Sequence, residues 1–166
     1  DVDASQHAVS QLADGGRKRI AMINHDLSYK YARLRERGYK SVIHLRDLDY
    51  QAVEYASDLS SGAGMAAMQN LLKDNPPDAV FAVSDTLAAG ALRAIQQAGL
   101  RVPEDIAVVG FDGTELADMI SLTTIEQPSR DIGRKAVDLL LNKIDNPDAP
   151  TERVMMDWRF ISRAST

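Results

Sequence analysis

The chain has 166 residues, 45% of them hydrophobic, which is enough for one domain with a core of ordinary size. It carries 24 acidic and 19 basic residues, a net charge of −5, and has no long run of lysine or arginine, so this stretch is a poor candidate for gripping DNA phosphates. The sequence lacks cysteine and any run of 18 apolar residues, which excludes disulfides, thiolate chemistry and a membrane-spanning helix, and fits a cytoplasmic protein.

Taken in chain order, the apolar patterns predict helices that alternate with strands. The predicted elements are helices over 3–14, 62–74 and 86–98 and strands over 19–24, 78–84 and 105–111, with a weaker strand candidate over 41–45. The three clear strands are short continuous apolar runs, which are typical of parallel strands covered on both faces. Their alternation with helices predicts an α/β fold with a parallel sheet flanked by helices.

The pattern changes after residue 112. Residues 113–128 are predicted to be a connector between two bodies, because they combine a short helical piece, a β-branched run and a proline that cannot continue a helix. A helix over 129–146 follows. Its apolar face contains Ile132, Ala136, Leu139, Leu140 and Ile144. In the final segment, 151–166, apolar and polar side chains alternate over 153–163, which predicts a returning edge strand.

Polar residues follow each of the three clear strands. They are Asn24 with His25 and Asp26, then Ser84 with Asp85, then Asp112. In an open parallel sheet the carboxyl ends of the strands meet at one crevice, where ligands bind. A structural role is the alternative for each, since Ser84 or Asp85 can cap the following helix and Asp112 can be a turn carboxylate before glycine.

The residue types at this edge favour binding without chemistry. Neither glycine-rich phosphate motif follows any of the strands, and the three histidines lack the spacing of metal ligands, so no cofactor or metal is predicted. The carboxylates also lack the nearby lysine or serine motif that would specify a reaction. Carboxylate, hydroxyl, amide and guanidinium groups are well suited to holding a neutral polyol.

Several longer motifs resemble the effector-binding region of LacI/GalR family transcription regulators. They are "GGRKRIAMI", "ARLRERGY", "GMAAMQNLL", "PDAVFAVSDTLAAGALRAIQQAGLRVPEDIAVVGFDGTELA" and "LTTIEQPSRDIGRKAVDLLL", in the family's order and approximate spacing. The resemblance covers nearly all of residues 1–145. It implies a Rossmann-like three-layer α/β/α lobe of the type I periplasmic-binding-protein-like fold.

The resemblance also implies a domain arrangement. Residues 1–112 match the C-terminal lobe, 113–128 the inter-lobe connector, 129–146 a helix belonging to the N-terminal lobe, and 151–166 the returning strand. The DNA-binding head and most of the N-terminal lobe are expected to lie outside this chain. The parent protein would bind operator DNA through that head as a homodimer, with no membrane association.

Individual residues match the family's functional positions. The effector-binding residues implied by the resemblance are Arg35, Ser84, Asp85, Phe111, Asp112 and Gln127. The helix over 86–98 matches the dimer face, with Ala88, Ala89 and Leu92 as the implied contacts, although its small residues equally suit packing on the sheet. Without the resemblance, Arg35 would be assigned to the solvated face of an arginine-rich helix.

The expected function is therefore binding of an effector, a sugar or related small polar molecule, coupled to operator affinity in a transcription regulator that is not an enzyme. The alternative is an extracytoplasmic sugar-binding protein of a transport system, which shares the two-lobe fold. A third possibility, an α/β hydrolase or kinase, would require turnover of the bound molecule.

Overall fold

A computed structural model describes all residues from 1 to 166. The helices are α1 (Val2–Asp14), α2 (Lys30–Leu45), α3 (Ser61–Leu71), α4 (Asp85–Gln97), α5 (Glu115–Met119) and α6 (Ser129–Asp145). The strands are β1 (Ile20–Asn24), β2 (Ala52–Tyr55), β3 (Ala79–Ala82), β4 (Ala107–Asp112), β5 (Thr123–Glu126) and β6 (Arg159–Ile161). None of the helices combines the length and the apolar character needed to cross a membrane.

The strands form a single six-stranded sheet in the order β2-β1-β3-β4-β5-β6. All neighbouring pairs are parallel except β5 and β6, which are antiparallel. Helices α1 and α2 pack together, as do α3 and α4, and each pair also contacts the central strands. Right-handed crossovers place these two pairs on opposite faces of the sheet. The predicted three-layer α/β/α architecture is confirmed.

The central strands are those that the apolar runs predicted. Every residue of β1 and β3 is buried, and in β4 only the last residue, Asp112, is partly exposed. Helices cover both faces of these strands, so neither face needs polar side chains. The apolar residues of the sheet and of α1 to α5 form one continuous core of 34 buried residues. One continuous core therefore carries the polar ends of all three strands.

Two strand predictions are wrong in whole or in part. Residues 41–45 are the C-terminal end of α2, where Val42 and Ile43 are buried against the core as one face of a helix. The strand next to β1 is instead β2, which was not predicted because its residues are half-buried or exposed and include Glu54. In the final segment only Arg159–Ile161 form a strand, and 153–158 are irregular.

The predicted connector over 113–128 contributes substantially to the lobe itself. Within it, α5 packs against α4, and β5 extends the sheet through parallel pairing with β4 from Val109–Thr123 to Asp112–Glu126. The chain therefore leaves the sheet only after Glu126. The β-branched residues Thr123, Thr124 and Ile125 are fully buried, which explains why they form a strand rather than a linker.

After β5 the chain makes an excursion and returns. Helix α6 has no buried residue, and its apolar side chains Leu140, Leu141 and Ile144 are more than half exposed. The chain then re-enters the sheet as β6, beside β5. Beyond β6, Ser165 is hydrogen-bonded to both β4 and β5: its carbonyl accepts from the Val108 amide at 2.8 Å, and its hydroxyl accepts from the Thr123 amide at 2.8 Å.

Helices α3 and α4 approach each other closely at two glycines. A side-chain Cβ at Gly90 would lie 2.1 Å from the Ser61 carbonyl oxygen, and one at Gly64 would lie 2.3 Å from the Leu87 carbonyl oxygen. Contacts this short require glycine at both positions. Gly90, in the middle of α4, therefore serves packing within the chain. The sequence alone had left open whether the small residues of this helix serve a dimer contact or internal packing.

Candidate functional site

The site lies at the carboxyl ends of β1, β3 and β4, the edge that the sequence predicted. Its centre is a contact between α2 and the end of β4, where Nη1 of Arg35 lies 3.5 Å from Oδ1 of Asp112. Gln127, which follows β5, donates from Nε2 to the same carboxylate oxygen at 2.9 Å. Three residues far apart in the chain thus meet, because β4 and β5 are neighbours and α2 brings Arg35 to the end of β4.

Arg35 is almost completely buried, with 6% of its surface exposed. Its Nε donates to Asp1 at 3.0 Å, and its Nη1 donates to the carbonyl of Val83 at the end of β3. The guanidinium lies over the ring of Phe111, with its central carbon 3.5 Å from the ring centroid. These contacts hold the planar group in one orientation and leave its Nη2 without a hydrogen-bond partner in the chain.

The carboxylate of Asp112 is the accessible half of this pair, since about a third of its side chain is exposed. Its Oδ1 accepts from Gln127 and Arg35, while Oδ2 makes no hydrogen bond within the chain. The residue has a φ of +115°, a conformation that non-glycine residues adopt only when the surrounding structure imposes it. The backbone therefore turns a charged side chain toward the crevice at some conformational cost.

Burial perturbs the ionisation of both groups. It lowers the pKa of Arg35, although the facing Asp112 opposes that shift. Burial likewise raises the pKa of Asp112, against the attraction of Arg35 and with further repulsion from Asp85. Both charges have thus lost part of their hydration, which favours a ligand whose hydroxyl groups supply new hydrogen bonds.

A cleft of about 630 Å³ opens beside Asp112, between the end of the sheet and the start of α6. Apart from glycine and proline, its lining is polar or charged. The lining residues are Asp112, Gly113, Thr114, Glu126, Gln127, Pro128, Ser129, Arg130, Asp131, Asp157 and Arg159. Such a wall suits a small, strongly hydrogen-bonding molecule better than an apolar one.

On the other side of Arg35 lies a cluster of aromatic side chains, which sequence reasoning missed. Tyr31 lies beside the Arg35 guanidinium, 5.1 Å from ring centroid to guanidinium carbon, and its hydroxyl is 2.9 Å from Nδ1 of His25. Tyr29 completes the cluster, 5.2 Å from the His25 ring and half exposed. The signal was available in the sequence, because both tyrosines lie on the loop and first helical turn after β1.

The remaining predicted site residues have mainly structural positions. Ser84 caps α4, with its hydroxyl accepting from the Leu87 amide at 3.2 Å, and is 7% exposed. Phe111 lies beneath the Arg35 guanidinium and is 1% exposed, so it supports the site without lining it. Asp85 is fully buried and both its oxygens are hydrogen-bonded inside the lobe, which removes it from the possible ligand contacts.

Asn24, at the end of β1, is likewise engaged internally. Its amide nitrogen donates to Glu36 at 2.8 Å and to the Ala32 carbonyl at 3.3 Å, and its oxygen accepts from the amide of His25 at 2.8 Å. These bonds tie the start of α2 to β1. Asn24 therefore positions the helix that carries Arg35.

The three implied dimer contacts on α4 differ in burial. Ala88 is fully buried in the lobe's own core, so the expectation that it contacts a partner is wrong. Ala89 and Leu92 are half-buried, and Leu92 packs partly against the core. Only these two of the three remain available to a second copy.

Comparison with known proteins places this geometry in a family. The sequence pattern of the periplasmic binding protein-like domain matches residues 9–166. The ribose operon repressor of Escherichia coli K12 is 37% identical over 163 residues, which are 95% of this chain and 49% of that protein. The chain thus spans about half the length of the curated relatives it matches.

Solved structures agree with the sequence relatives. A LacI family regulator from Enterococcus faecium with bound ribose superposes with a TM-score of 0.91 at 28% identity, over 99% of this chain and 62% of that one. The lac repressor dimer bound to operator and the anti-inducer ONPF superposes with a TM-score of 0.89 at 32% identity, over 99% and 58%. These relatives are transcription regulators. The chain belongs to the periplasmic binding protein-like domain family, in the branch formed by LacI-type transcription regulators.

Proposed function

We propose that this chain is the effector-binding and dimerisation region of a LacI-type regulator, and that its effector is a sugar or a related small polar molecule. The observation that carries the proposal is the pairing of Arg35 with Asp112. A buried guanidinium keeps Nη2 free, and beside it a partly exposed carboxylate keeps Oδ2 free.

The pair supplies complementary groups for a polyol. A carboxylate oxygen accepts from ligand hydroxyls, and the guanidinium donates to a hydroxyl or ring oxygen. Gln127 and the hydroxyl of Ser84, which can still donate, add neutral polar groups at the same edge. The aromatic rings of Tyr31 and Tyr29 offer a surface for the apolar face of a sugar ring.

The exposed apolar face of α6 supports the proposed domain arrangement. Its side chains Leu140, Leu141 and Ile144 are uncovered in this chain, and an apolar stripe of that size is normally covered by protein. We assign α6 to an N-terminal lobe that closes over the cleft from the other side. Segment 127–128 and residues 146–158 are then the two crossings between lobes.

The whole protein would act as a cytoplasmic homodimer that binds operator DNA through a separate head. Ala89 and Leu92 on α4 are the proposed contacts to the second copy. The net charge of −5 gives this region no attraction for DNA, so operator affinity would depend on the head and on the lobe arrangement that the effector selects.

The test is calorimetric titration of the full-length protein with D-ribose, cellobiose and a panel of other pentoses, hexoses and uronic acids. We expect at least one to bind, and its addition to change the affinity of the protein for operator DNA selected in vitro. Failure of every sugar to bind, or conversion of a bound sugar to a product, would contradict the proposal.

A further inference from the structure

The carboxylate of Asp85 is fully buried at the first turn of α4, with an exposed fraction of 0%. Its Oδ2 accepts from the backbone amide of Thr114 at 2.7 Å and from the hydroxyl of the same residue at 2.9 Å. Its Oδ1 accepts from the hydroxyl of Thr124 at 2.6 Å. An ordinary helix-capping carboxylate would bond to its own helix, whereas this one bonds to two later segments of the chain.

The approach of this carboxylate to the sheet is unusually close. A Cβ at Gly110, in the middle of β4, would lie 2.5 Å from Oδ1 of Asp85. Any other residue at that position would therefore displace the carboxylate. Glycine in "VVGFD" is thus explained by the need to seat Asp85 against β4.

Both segments held by Asp85 lead directly to the proposed ligand contacts. Thr114 follows Asp112 by two residues, and Thr124 precedes Gln127 by three. Asp112 and Gln127 are themselves joined twice, by the side-chain bond at 2.9 Å and by the bond from the Gln127 amide to the Asp112 carbonyl at 3.1 Å. The Asp85 carboxylate therefore holds the chain just after Asp112, through Thr114, and just before Gln127, through Thr124.

The backbone at Asp112 is the part that most needs such support. Its φ of +115° is followed by +71° at Gly113, so two consecutive residues depart from ordinary strand geometry. The two bonds from Thr114 to Asp85 fix the chain immediately after this turn. Without them the turn could relax toward a lower-energy backbone and carry the Asp112 side chain with it.

We propose that Asp85 is a positioning residue that sets the geometry of the Asp112–Gln127 pair from below, without touching the effector. This inference rests on the proposed function for its consequence in binding, but its structural part concerns the ligand-free protein. Because Asp85 is the first residue of α4, it also connects the pair to the helix that carries the proposed dimer contacts.

The experiment compares two neighbouring buried threonines of β5 in the full-length protein. Thr124→Val removes the bond to Asp85, and Thr123→Val removes bonds to Arg163 and Thr166 on the opposite side of the strand. The two substitutions are otherwise alike, since both residues are fully buried. Asp85→Ala removes the carboxylate, and Asp85→Asn retains an oxygen for Thr114 and an amide that can donate to Thr124.

Amide hydrogen exchange without ligand is the first readout. We expect exchange at Thr114 and Gln127 to rise about tenfold in Asp85→Ala and to a lesser degree in Thr124→Val, as for the loss of one or two hydrogen bonds. Thr123→Val should leave these two amides unchanged even where its melting temperature falls as much, and Asp85→Asn should restore slow exchange. If Asp85→Ala does not fold, the threonine pair decides.

If the Thr114 and Gln127 amides exchange as fast in Thr123→Val as in Thr124→Val, the inference is overturned. So would fast exchange combined with an unchanged dissociation constant for D-ribose, because the carboxylate would then be structural only. Failure of the wild-type protein to bind D-ribose counts against ribose as the effector in the proposed function, and the exchange comparison still decides the positioning role.

Discussion

Asp112→Asn tests the proposed binding role most directly. Asparagine has nearly the same shape and tolerates positive φ better than alanine, so the turn at φ +115° is preserved. Its amide oxygen can still accept from Gln127, and Arg35 keeps its bonds to Asp1 and to the Val83 carbonyl. The substitution therefore removes the negative charge and replaces the free acceptor Oδ2 with an NH2 group, which can donate to a ligand hydroxyl but cannot accept from it.

The expected loss of affinity follows from the kind of hydrogen bond removed. A bond to a charged group contributes about 1.5–3 kcal/mol and a neutral one about 0.5–1.5 kcal/mol, so each ligand hydroxyl on Oδ2 loses about 1–2 kcal/mol. At about 1.4 kcal/mol per factor of ten, the dissociation constant should rise about 5- to 30-fold. The free energy of unfolding should change by less than about 1 kcal/mol, because burial already disfavours the charged form of Asp112.

Calorimetric titration of the full-length variant with the sugar that binds the wild type measures the first quantity, and urea unfolding measures the second. Asp74→Asn is the matched control, since this exposed carboxylate lies between α3 and β3 at the opposite edge of the sheet. An unchanged dissociation constant in Asp112→Asn, with the wild-type stability retained, would refute the assignment of Asp112 as an effector contact.

Four further outcomes are expected. Because burial raises the pKa of Asp112, effector affinity should begin to fall at a higher pH on acidification than it would for an ordinary aspartate, and Asp112→Asn should flatten that profile in titrations across pH. The same raised pKa means that Asp112 stabilises the fold at low pH, and this stabilisation is lost as the pH rises through the raised pKa. Tyr31→Phe removes the bond to His25 but keeps the ring beside the guanidinium, so calorimetry should show a loss of at most about 1 kcal/mol in affinity. Leu92→Glu should shift the full-length protein from dimer to monomer in light scattering, and an unchanged mass would remove α4 from the interface. Gly90→Ala should lower the free energy of unfolding by about 1–3 kcal/mol in urea titrations through overpacking against α3, and an unaltered midpoint would show that the two helices can separate at no cost.

The parts of the fold that the sequence predicts are those in which local pattern and burial coincide. Strands β1, β3 and β4 are apolar throughout because helices cover both of their faces. Strand β2 has only one neighbour and mixed burial, so its four residues carry no distinctive pattern. The β-branched pair Val42 and Ile43 indicates a strand in isolation, yet the face they share with Tyr39 buries them as part of a helix.

Some residues of the candidate site could be predicted from the sequence, and others could not. Asp112 could be predicted because a charged residue directly after a buried apolar run is expected at the carboxyl end of a strand, where β4 places it. The burial of Arg35 depends on how α2 lies on the sheet, and periodicity alone assigns it to solvent. The partners of Asp85 lie 29 and 39 residues further along the chain, so no local pattern could distinguish its positioning role from that of an ordinary helix cap.

The position of Ser165 has a consequence for how the lobe forms during synthesis. This residue bonds to Val108 in β4 and to Thr123 in β5, more than 40 residues earlier in the chain. Its position can be filled only after the ribosome has translated past α6, so a nascent chain holds an unfinished sheet with the amides of Val108 and Thr123 open to water or to other strands. Premature termination within 127–158 would release a lobe with an unpaired β5 edge, a form prone to pairing with other chains, and ribosome pausing there would expose the same edge.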